Sequence, residues 1–260
     1  MPCCFLGFGG NVGNVAATFA SALGELGRND ERIHVVRTSS IYRTAAVGEN
    51  AGGEFLNAVV EIETELTPLN LLACLQSIET ALGRTREVHW GPRPLDIDLL
   101  LYGSEVVEEP ELQVPHPAMW YRRFVLDPLA EIAADVVHPV FGVTIGQLRQ
   151  RMLFRPLRLR IACREGAQRD HLIAELSRRF AEVQVELIPS ELSTGGTTLM
   201  THVRINPLDD ECRTGQITLG DPKGVPVLIP ADDDGGVAFL SAVIASATDQ
   251  PAIVAGSFLA

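Results

Sequence analysis

An apolar run interrupted by two carboxylates is the feature that most constrains this chain. Residues 95–102 read Leu-Asp-Ile-Asp-Leu-Leu-Leu-Tyr, a composition that suits a buried β-strand. Successive side chains of a strand point to opposite faces, so Asp96 and Asp98 share one face while Ile97 and Leu99 take the other. Two neighbouring acids on a largely buried strand repel each other and lose hydration, so we expect a cation between them.

A divalent metal ion is one candidate for that cation. Mg²⁺ is typically held by one or two carboxylates and completes its shell with water and substrate phosphates. The alternative is that Asp96 and Asp98 lie on a solvated sheet edge, where their charge protects the strand from aggregation. The Asp-x-Asp pair alone does not decide between the two.

The residues before this strand add positive charge. Residues 90–93 read Trp-Gly-Pro-Arg, and Gly-Pro favours an extended or turned backbone, which brings Arg93 close to the two acids. Arg84 and Arg86 follow a predicted helix, so three arginines lie within ten residues. Because a guanidinium pairs bidentately with phosphate, the combination suits a polyphosphate ligand. The alternative for Arg84 and Arg86 is a solvated turn.

At this point the chain resembles a known family. The segment 90–102, Trp-Gly-Pro-Arg-Pro-Leu-Asp-Ile-Asp-Leu-Leu-Leu-Tyr, resembles the signature of the 6-hydroxymethyl-7,8-dihydropterin pyrophosphokinases, which are folate-pathway enzymes. Other segments resemble the family in the expected order, and the resemblance covers about residues 1–153. These other segments are a Gly-Gly-Asn turn at 9–11, Ser-x-Tyr-x-Thr at 40–44, Phe-Leu-Asn at 55–57, Val-Pro-His at 114–116 and Arg-x-Phe at 122–124. In the first of them, Gly10 stands where the family usually has serine.

The resemblance implies a reaction and a set of site residues. The reaction is transfer of the terminal diphosphate of ATP to the hydroxymethyl group of the reduced pterin, with release of AMP. Asp96 and Asp98 would hold two Mg²⁺ ions. The implied charge stabilisers are Arg84, Arg93 and Arg122, and the implied ATP contacts are Gln76, Glu79, Arg86, His116 and Arg122. The implied pterin contacts are Thr44, Ala45, Val47, Phe55, Asn57, Trp90 and Phe124, with Trp90 and Phe124 as the two walls of a sandwich.

Three of these residues also stand out by their own chemistry. Asn57 interrupts an apolar predicted strand and offers both donors and an acceptor, as the amide-and-amine edge of a pterin requires, and Phe55 offers a ring for stacking. The alternative is a buried Asn that bonds to the backbone. His116 lies between two prolines in an extended segment, although a lone His is more often structural.

Composition limits the other classes of function. The net charge of −12 argues against general binding of nucleic acid or of anionic membranes. The longest weakly polar stretch, residues 235–247, is too short to span a bilayer. Five cysteines without a Cys-x-x-Cys pair, and a start without a basic flank or signal peptide, predict reduced thiols and a cytoplasmic protein. Since Lys223 is the single lysine, phosphate must be held in the first 155 residues by arginine, metal or backbone.

The chain divides into two predicted domains. By resemblance, residues 1–155 form an α+β domain with the ferredoxin-like sandwich of the pyrophosphokinases, and the alternation of strands and helices agrees with it. Residues 156–260 read as a smaller α+β domain in the order β-α-β-β-β-α-β, with helices on one face and a last strand at 252–254. This second part resembles no family, and its role is open.

Two other functions stay open at this point. One is a regulatory protein that binds a pterin or a nucleotide and has lost the reaction, with the second domain as its effector module. The other is a different Mg²⁺-dependent nucleotidyltransferase, which would share Asp-x-Asp but would not need Phe55, Asn57, Trp90 and Phe124. The family resemblance implies that the partners are ATP and a reduced hydroxymethyl-pterin. The net charge argues against nucleic acid and membranes as partners.

Overall fold

A computed structural model describes residues 1–29, 32–46, 52–84, 93–155, 157–163, 167–181, 183–189, 202–205, 218–219 and 233–258. The first part of the chain contains strands β1 (Cys3–Gly10), β2 (Ile33–Thr38), β3 (Ile41–Thr44), β4 (Phe55–Thr64), β5 (Asp96–Tyr102), β6 (Val107–Glu109) and β7 (Leu112–Val114). Its helices are α1 (Val15–Asn29), α2 (Pro68–Ala81), α3 (Arg123–Ala133) and α4 (Ile145–Leu153). The second part contains β8 (Leu157–Cys163), α5 (Ala167–Arg179), β9 (Val183–Pro189), β10 (His202–Ile205), β11 (Thr218–Leu219), α6 (Asp233–Thr248) and β12 (Ala252–Ala255).

An antiparallel sheet of six strands is the frame of the first part. Its order is β12-β3-β4-β1-β5, and β2 also pairs with β4. Along β1, Leu6 and Phe8 pack in one core with residues of α1 and α2. Phe5, from the opposite face, packs in a second core with residues of α3, α4 and α6. Helices therefore cover both faces of the sheet, and the predicted α+β class is confirmed.

Helix α2 has the ends that its sequence predicts. Thr67 caps it, since its side chain accepts the backbone N–H of Asn70 at 3.4 Å, and Pro68 occupies the first turn, where a missing N–H costs nothing. After the helix, Gly83 adopts a φ of 91°, which a glycine tolerates best. This turn places Arg84 directly beyond the end of the helix.

Two carboxylates of α3, the exposed Glu131 and the buried Asp127, fix the helix against its neighbours. Glu131 accepts hydrogen bonds from the Ser40 N–H at 3.0 Å, the Ser40 hydroxyl at 2.9 Å and the Tyr42 hydroxyl at 2.8 Å, and so ties α3 to β3. Asp127 accepts two bonds from the Arg123 guanidinium, at 3.2 and 2.5 Å, and one from Arg149 Nε at 2.6 Å. Two guanidiniums thus compensate a carboxylate that is 4% exposed.

The second part forms its own sheet, in the order β11-β10-β8-β9, with β8 and β9 parallel. The expectation that the last strand belongs to this sheet is wrong. Strand β12 instead pairs antiparallel with β3, with Ala252 opposite Arg43 and Ile253 opposite Tyr42. The physical reason is that β3 offers unpaired backbone groups on the side away from β4, and α6, which packs on α3 and α4, returns the chain to that edge. The domain boundary near residue 155 stays a prediction.

Of the cysteines with described side chains, Cys4 is buried, and Cys3 and Cys74 are half-buried. Cys3, Cys4 and Cys74 form no disulfide within the described part of the chain. Burial is the main cause that raises the pKa of both the Cys3 and the Cys4 thiol to about 12, so both stay protonated at neutral pH. None of the helices that the structure describes has both the length and the apolar composition needed to cross a membrane.

His138 makes the stability of the fold depend on pH. Its ring is 3% exposed, stacks on Phe141 at 4.3 Å and accepts the backbone N–H of Val140 at Nδ1, 3.3 Å away. Burial lowers the pKa of His138 from 6.5 to about 4, so the unfolded chain binds more protons than the folded one between these values. The free energy of unfolding should fall as the pH drops from 6.5 to 4, by up to about 3 kcal/mol from this group.

Urea unfolding of the wild type and of His138→Asn at pH 7 and pH 4.5 would measure this effect. Asn keeps a hydrogen-bond acceptor near the position of Nδ1 but does not titrate. We expect the variant to lose less stability than the wild type between the two pH values. Equal losses would contradict the role given to His138.

Candidate active site

One row of directly opposed residues crosses the sheet and defines the site. Tyr42 on β3 lies opposite Asn57 on β4, Asn57 opposite Gly9 on β1, and Gly9 opposite Asp96 on β5. Residues that face each other across an antiparallel pair point to the same side of the sheet. Asp98 is next on that side and lies opposite Gly7. The predicted common face of the two acids is therefore confirmed, and glycines form a floor without side chains beside them.

Asp96 lies between two guanidiniums. Its Oδ1 is 2.5 Å from Arg84 Nη1, and its Oδ2 is 3.2 Å from Arg93 Nη2. Arg84 Nη1 also donates to Glu79 Oε1, and the same oxygen accepts the backbone N–H of Ile97 at 2.7 Å. We call Glu79, Arg84, Arg93 and Asp96 the acid–guanidinium network. It connects the end of α2 to the beginning of β5.

Burial raises the pKa values of the two acids in this network. Desolvation is the main cause that raises the pKa of Asp96, and the neighbouring Asp98 raises it further, whereas Arg93 and Arg84 oppose the shift. Desolvation likewise raises the pKa of Glu79, against the Ile97 N–H and Arg84. Both carboxylates therefore gain from nearby positive charge. The two arginines supply it within the protein.

Asp98 is the more open of the two acids. Its side chain is 42% exposed, and its Oδ2 lies 4.0 Å from His116 Nε2. No group of three or more His, Cys, Asp or Glu residues that could hold a metal occurs in the part of the chain that the structure describes. Asp96 and Asp98 thus offer a two-carboxylate site, and such a site suits Mg²⁺, which takes its other ligands from water and phosphate.

His116 lies beside this pair. Its Nδ1 accepts the backbone N–H of Ala118 at 3.1 Å, so a neutral ring carries its proton on Nε2, the atom nearest to Asp98. Its backbone N–H donates to the Leu100 carbonyl on β5 at 3.0 Å. Burial lowers the pKa of His116, which favours the neutral ring, although Asp98 opposes this shift. A neutral His116 presents a hydrogen-bond donor to the acid pair.

Asn11 holds Arg93 in place, a role that the sequence analysis missed. The Asn11 N–H donates to the Arg93 carbonyl at 2.9 Å, and the Arg93 N–H donates to Asn11 Oδ1 at 2.9 Å. The Arg93 guanidinium then lies 5.8 Å from the centre of the Phe55 ring, a cation–π distance. Its buried Nε has no hydrogen-bond partner among the described residues. The sequence feature that could have indicated this role is the Asn of the Gly-Gly-Asn turn.

The predicted pterin contacts on β3 and β4 lie together. Asn57 Nδ2 donates to Thr44 Oγ1 at 2.8 Å, and both residues are buried. Phe55 lies directly opposite Thr44 and is half-buried, whereas Ala45 is exposed. Among the described residues, the hydrogen bond that the Asn57 amide donates goes to the Thr44 side chain and not to the backbone.

The remaining predicted residues are more scattered. Arg122 immediately precedes α3, with its guanidinium 5.6 Å from the centre of the Phe124 ring. Gln76 is half-buried on α2, one turn before Glu79, whose contacts go to Arg84 and to β5. Val47, Arg86 and Trp90 lie outside the described residues.

Comparison with known proteins decides the family. The model of the 7,8-dihydro-6-hydroxymethylpterin-pyrophosphokinase family matches residues 5–134. The chain is 46% identical over 132 residues to the 2-amino-4-hydroxy-6-hydroxymethyldihydropteridine pyrophosphokinase of Bacillus subtilis, covering 51% of this chain and 78% of that protein. It is 48% identical over 137 residues to the protein of the same name from Methylorubrum extorquens, covering 53% and 86%. The chain belongs to the 7,8-dihydro-6-hydroxymethylpterin-pyrophosphokinase family.

A solved structure of Plasmodium falciparum HPPK-DHPS is also similar, with 15% sequence identity and a TM-score of 0.46. That alignment covers 58% of this chain and 44% of the Plasmodium chain, so this chain spans less than half of the Plasmodium chain. The family resemblance inferred from residues 90–102 is confirmed by the match to residues 5–134.

Gly10 departs from the serine that is usual in this pyrophosphokinase family, and the structure gives a reason. A Cβ at residue 10 would lie 2.5 Å from the Pro94 carbonyl oxygen and 3.1 Å from Val15 Cγ1. The nearest atom belongs to the backbone, so it cannot move aside as a flexible side chain could. Here the end of β1 approaches the segment that carries Arg93 too closely for any side chain.

We expect Gly10→Ala to lower the free energy of unfolding by about 1–3 kcal/mol, the usual cost of overpacking. Gly24→Ala is the matched control, because Gly24 lies within α1 and a Cβ there meets nothing within 4 Å. The control should be neutral or slightly stabilising, since Ala favours a helix. Urea unfolding of both variants measures the difference, and similar stabilities would refute the close approach at Gly10.

Proposed function

We propose that this chain transfers the terminal diphosphate of ATP to the hydroxymethyl group of 6-hydroxymethyl-7,8-dihydropterin and releases AMP, as a step of folate biosynthesis. The family membership and the names of the relatives support this activity. The observation that carries it is the single sheet face on which Asn57 and the acids Asp96 and Asp98 lie across a floor of glycines. A heterocycle at one end of this floor and a triphosphate at the other would bring the reacting groups together.

The acids would hold the metal. Asp96 and Asp98 would bind Mg²⁺, and we propose two ions, which when bound supply charge neutralisation and polarisation of the phosphate oxygens. Before substrates bind, Arg84 and Arg93 hold the two oxygens of Asp96 and favour its ionised form. The site is thereby oriented in advance, which lowers the reorganisation that transfer requires.

The arginines would stabilise the charge that develops during transfer. Phosphoryl-type transfer depends mainly on positioning and electrostatics, so the site needs no general base of its own. Arg93 is the best placed of the three, because Asn11 fixes its backbone and its Nε has no hydrogen-bond partner among the described residues. Arg84 and Arg122 would act on the same phosphates, with Gln76, Glu79, Arg86 and His116 as further ATP contacts.

The pterin would lie over β3 and β4. Asn57 and Thr44 would bind its polar edge, with Ala45 and Val47 beside them, and Phe55, Trp90 and Phe124 would contact its faces. The hydrogen bond between Asn57 and Thr44 orients the Asn57 amide, so that its carbonyl oxygen faces the glycine floor, 3.3 Å from a Cβ position at Gly9. This orientation supports a specific recognition of a donor on the ligand.

Replacing the acids tests the metal assignment. With ATP, saturating Mg²⁺ and 6-hydroxymethyl-7,8-dihydropterin, the wild type should release AMP, and Asp96→Ala and Asp98→Ala should each lower kcat by at least about a thousandfold. Asp135→Ala, which removes an exposed acid elsewhere, should behave as the wild type. Thermal melting shows whether each variant is folded.

Substantial turnover by a folded Asp98→Ala protein would contradict the metal assignment. If the wild type binds the pterin and ATP in calorimetry but releases no AMP, the alternative of a binding protein that has lost the reaction is supported instead.

Arg93→Ala tests a role in the transition state. We expect kcat to fall by about a hundredfold, while KM for the pterin changes by less than about threefold, since the guanidinium acts on developing charge. Arg28→Ala, which removes an exposed arginine at the end of α1, is the matched control. If Arg93→Ala raises KM and leaves kcat unchanged, the arginine contributes to binding and not to transfer.

A further inference from the structure

We propose that the C-terminal segment 249–258, which we call the tail, positions the pterin side of the site by holding the end of β3 and the beginning of α3 together. Asp249 is its positioning residue. The inference rests on the proposed function. The tail lies outside residues 5–134, which the family model matches, so it is an addition of this chain to the matched region.

The tail first extends the sheet that carries the site. Strand β12 pairs with β3, with Ala252 opposite Arg43 and Ala255 opposite Ile41. Strand β3 ends at Thr44, and Thr44 and Ala45 are two of the proposed pterin contacts. Without β12 the outer side of β3 would be an open edge among the described strands. The tail therefore supports the strand that carries these contacts, on its edge away from β4.

Asp249 also reaches the other side of the pterin site. Its backbone carbonyl accepts a hydrogen bond from Arg123 Nη1 at 2.9 Å. Arg123 lies between Arg122 and Phe124, and its guanidinium is fixed by two bonds to the buried Asp127. The residue that precedes β12 thus contacts the turn of α3 that carries two further proposed site residues.

The side chain of Asp249 is half-buried. Its Oδ1 accepts the backbone N–H of Gln250 at 2.9 Å, and its Oδ2 is buried without a hydrogen-bond partner among the described residues. Burial raises the pKa of Asp249, whereas the backbone N–H groups of Gln250 and Ala45 and the charge of Arg123 lower it. Arg123 begins α3, and the strand that follows Asp249 pairs with β3, so Asp249 and β12 connect the two sides of the proposed pterin site.

The far end of the tail is anchored independently. Ser257 Oγ lies 2.7 Å from Thr38 Oγ1. Thr38 Oγ1 also accepts the backbone N–H of Phe258 at 3.2 Å. The Phe258 ring lies 6.2 Å from that of Phe8 and 5.8 Å from that of Phe19, in the core under α1. Between the anchors the side chains of β12 are exposed. The middle of the tail is thus held by backbone pairing, which acts directly on β3.

Holding β3 in advance lowers the conformational entropy that the pterin must remove when it binds. Among the described residues, the strand pairing and hydrogen bonds of the tail reach β3, Thr38 and Arg123. None of them reaches the acid–guanidinium network, and the tail meets α2 and β5 only through the Phe258 ring in their shared core. The proposal therefore predicts an effect that is selective for the pterin. A general loss of stability would affect both substrates.

Asp249→Ala in the full chain tests the proposal, with Asp249→Asn as the conservative variant and Gln250→Ala as the matched control, because the neighbouring Gln250 is exposed. For Asp249→Ala we expect KM for the pterin to rise about fivefold or more, with KM for ATP changed by less than about twofold. Asp249→Asn keeps an acceptor and should lie between the wild type and Asp249→Ala. Gln250→Ala should match the wild type.

Hydrogen exchange of residues 41–46 in the same proteins provides a measurement that does not depend on activity. Exchange there should be faster in Asp249→Ala than in the wild type, while residues 96–102 of β5 stay unchanged. Equal increases of both KM values, or unchanged exchange at 41–46, would overturn the proposal.

The two proposals fail in different ways. If the wild type releases no AMP, the proposed function is wrong, and the exchange rates still decide whether the tail holds β3. If the wild type is active and Asp249→Ala changes neither the pterin KM nor the exchange, only the positioning role is wrong.

Discussion

The structure depends on the electrostatic demand of acids placed on a largely buried strand. Burial raises the pKa of Asp96 and so disfavours its ionised form, whereas the positive charges of Arg93 and Arg84 oppose this shift. Arg84 comes from the turn after α2, and Arg93 from the segment that leads into β5. Glu79 adds a second acid to Arg84 and accepts the N–H of Ile97. One network of charges therefore holds α2, the start of β5 and the two arginines in a fixed relation.

The glycines at the end of β1 leave the two acids uncovered. Gly7 and Gly9 lie opposite Asp98 and Asp96, so no side chain of β1 covers the acids. Gly10 lets the chain pass close to the Pro94 carbonyl, and Asn11 then bonds twice to Arg93. A strand with side chains at these positions would fill the space between Asn57 and the acids. The short glycine-rich end of β1 thus provides both the floor of the site and the hold on its central arginine.

Local features of this fold could be predicted from the sequence, and distant pairings could not. The alternation of residues in a strand is enough to place Asp96 and Asp98 on one face, and Thr67, Pro68 and Gly83 mark the ends of α2. Periodicity also predicts a strand near residue 252, but it carries no information about the partner, which lies more than two hundred residues earlier in β3. The roles of Asn11 and Glu131 escaped prediction for the same reason, since each depends on backbone groups that only the fold brings near.

The second part of the chain packs against the first and contributes to its stability. Leu240, Val243 and Ile244 of α6 share one buried core with Leu126 and Leu129 of α3. A chain that ended after α4 would expose these apolar faces to water, at about 25 cal/mol for each Å². It would also lose β12 and the Phe258 ring from the core under α1. Because α3 begins beside Arg122 and Phe124, the packing that holds this helix also holds one side of the site, and the family region of this chain is stabilised by residues that lie beyond it.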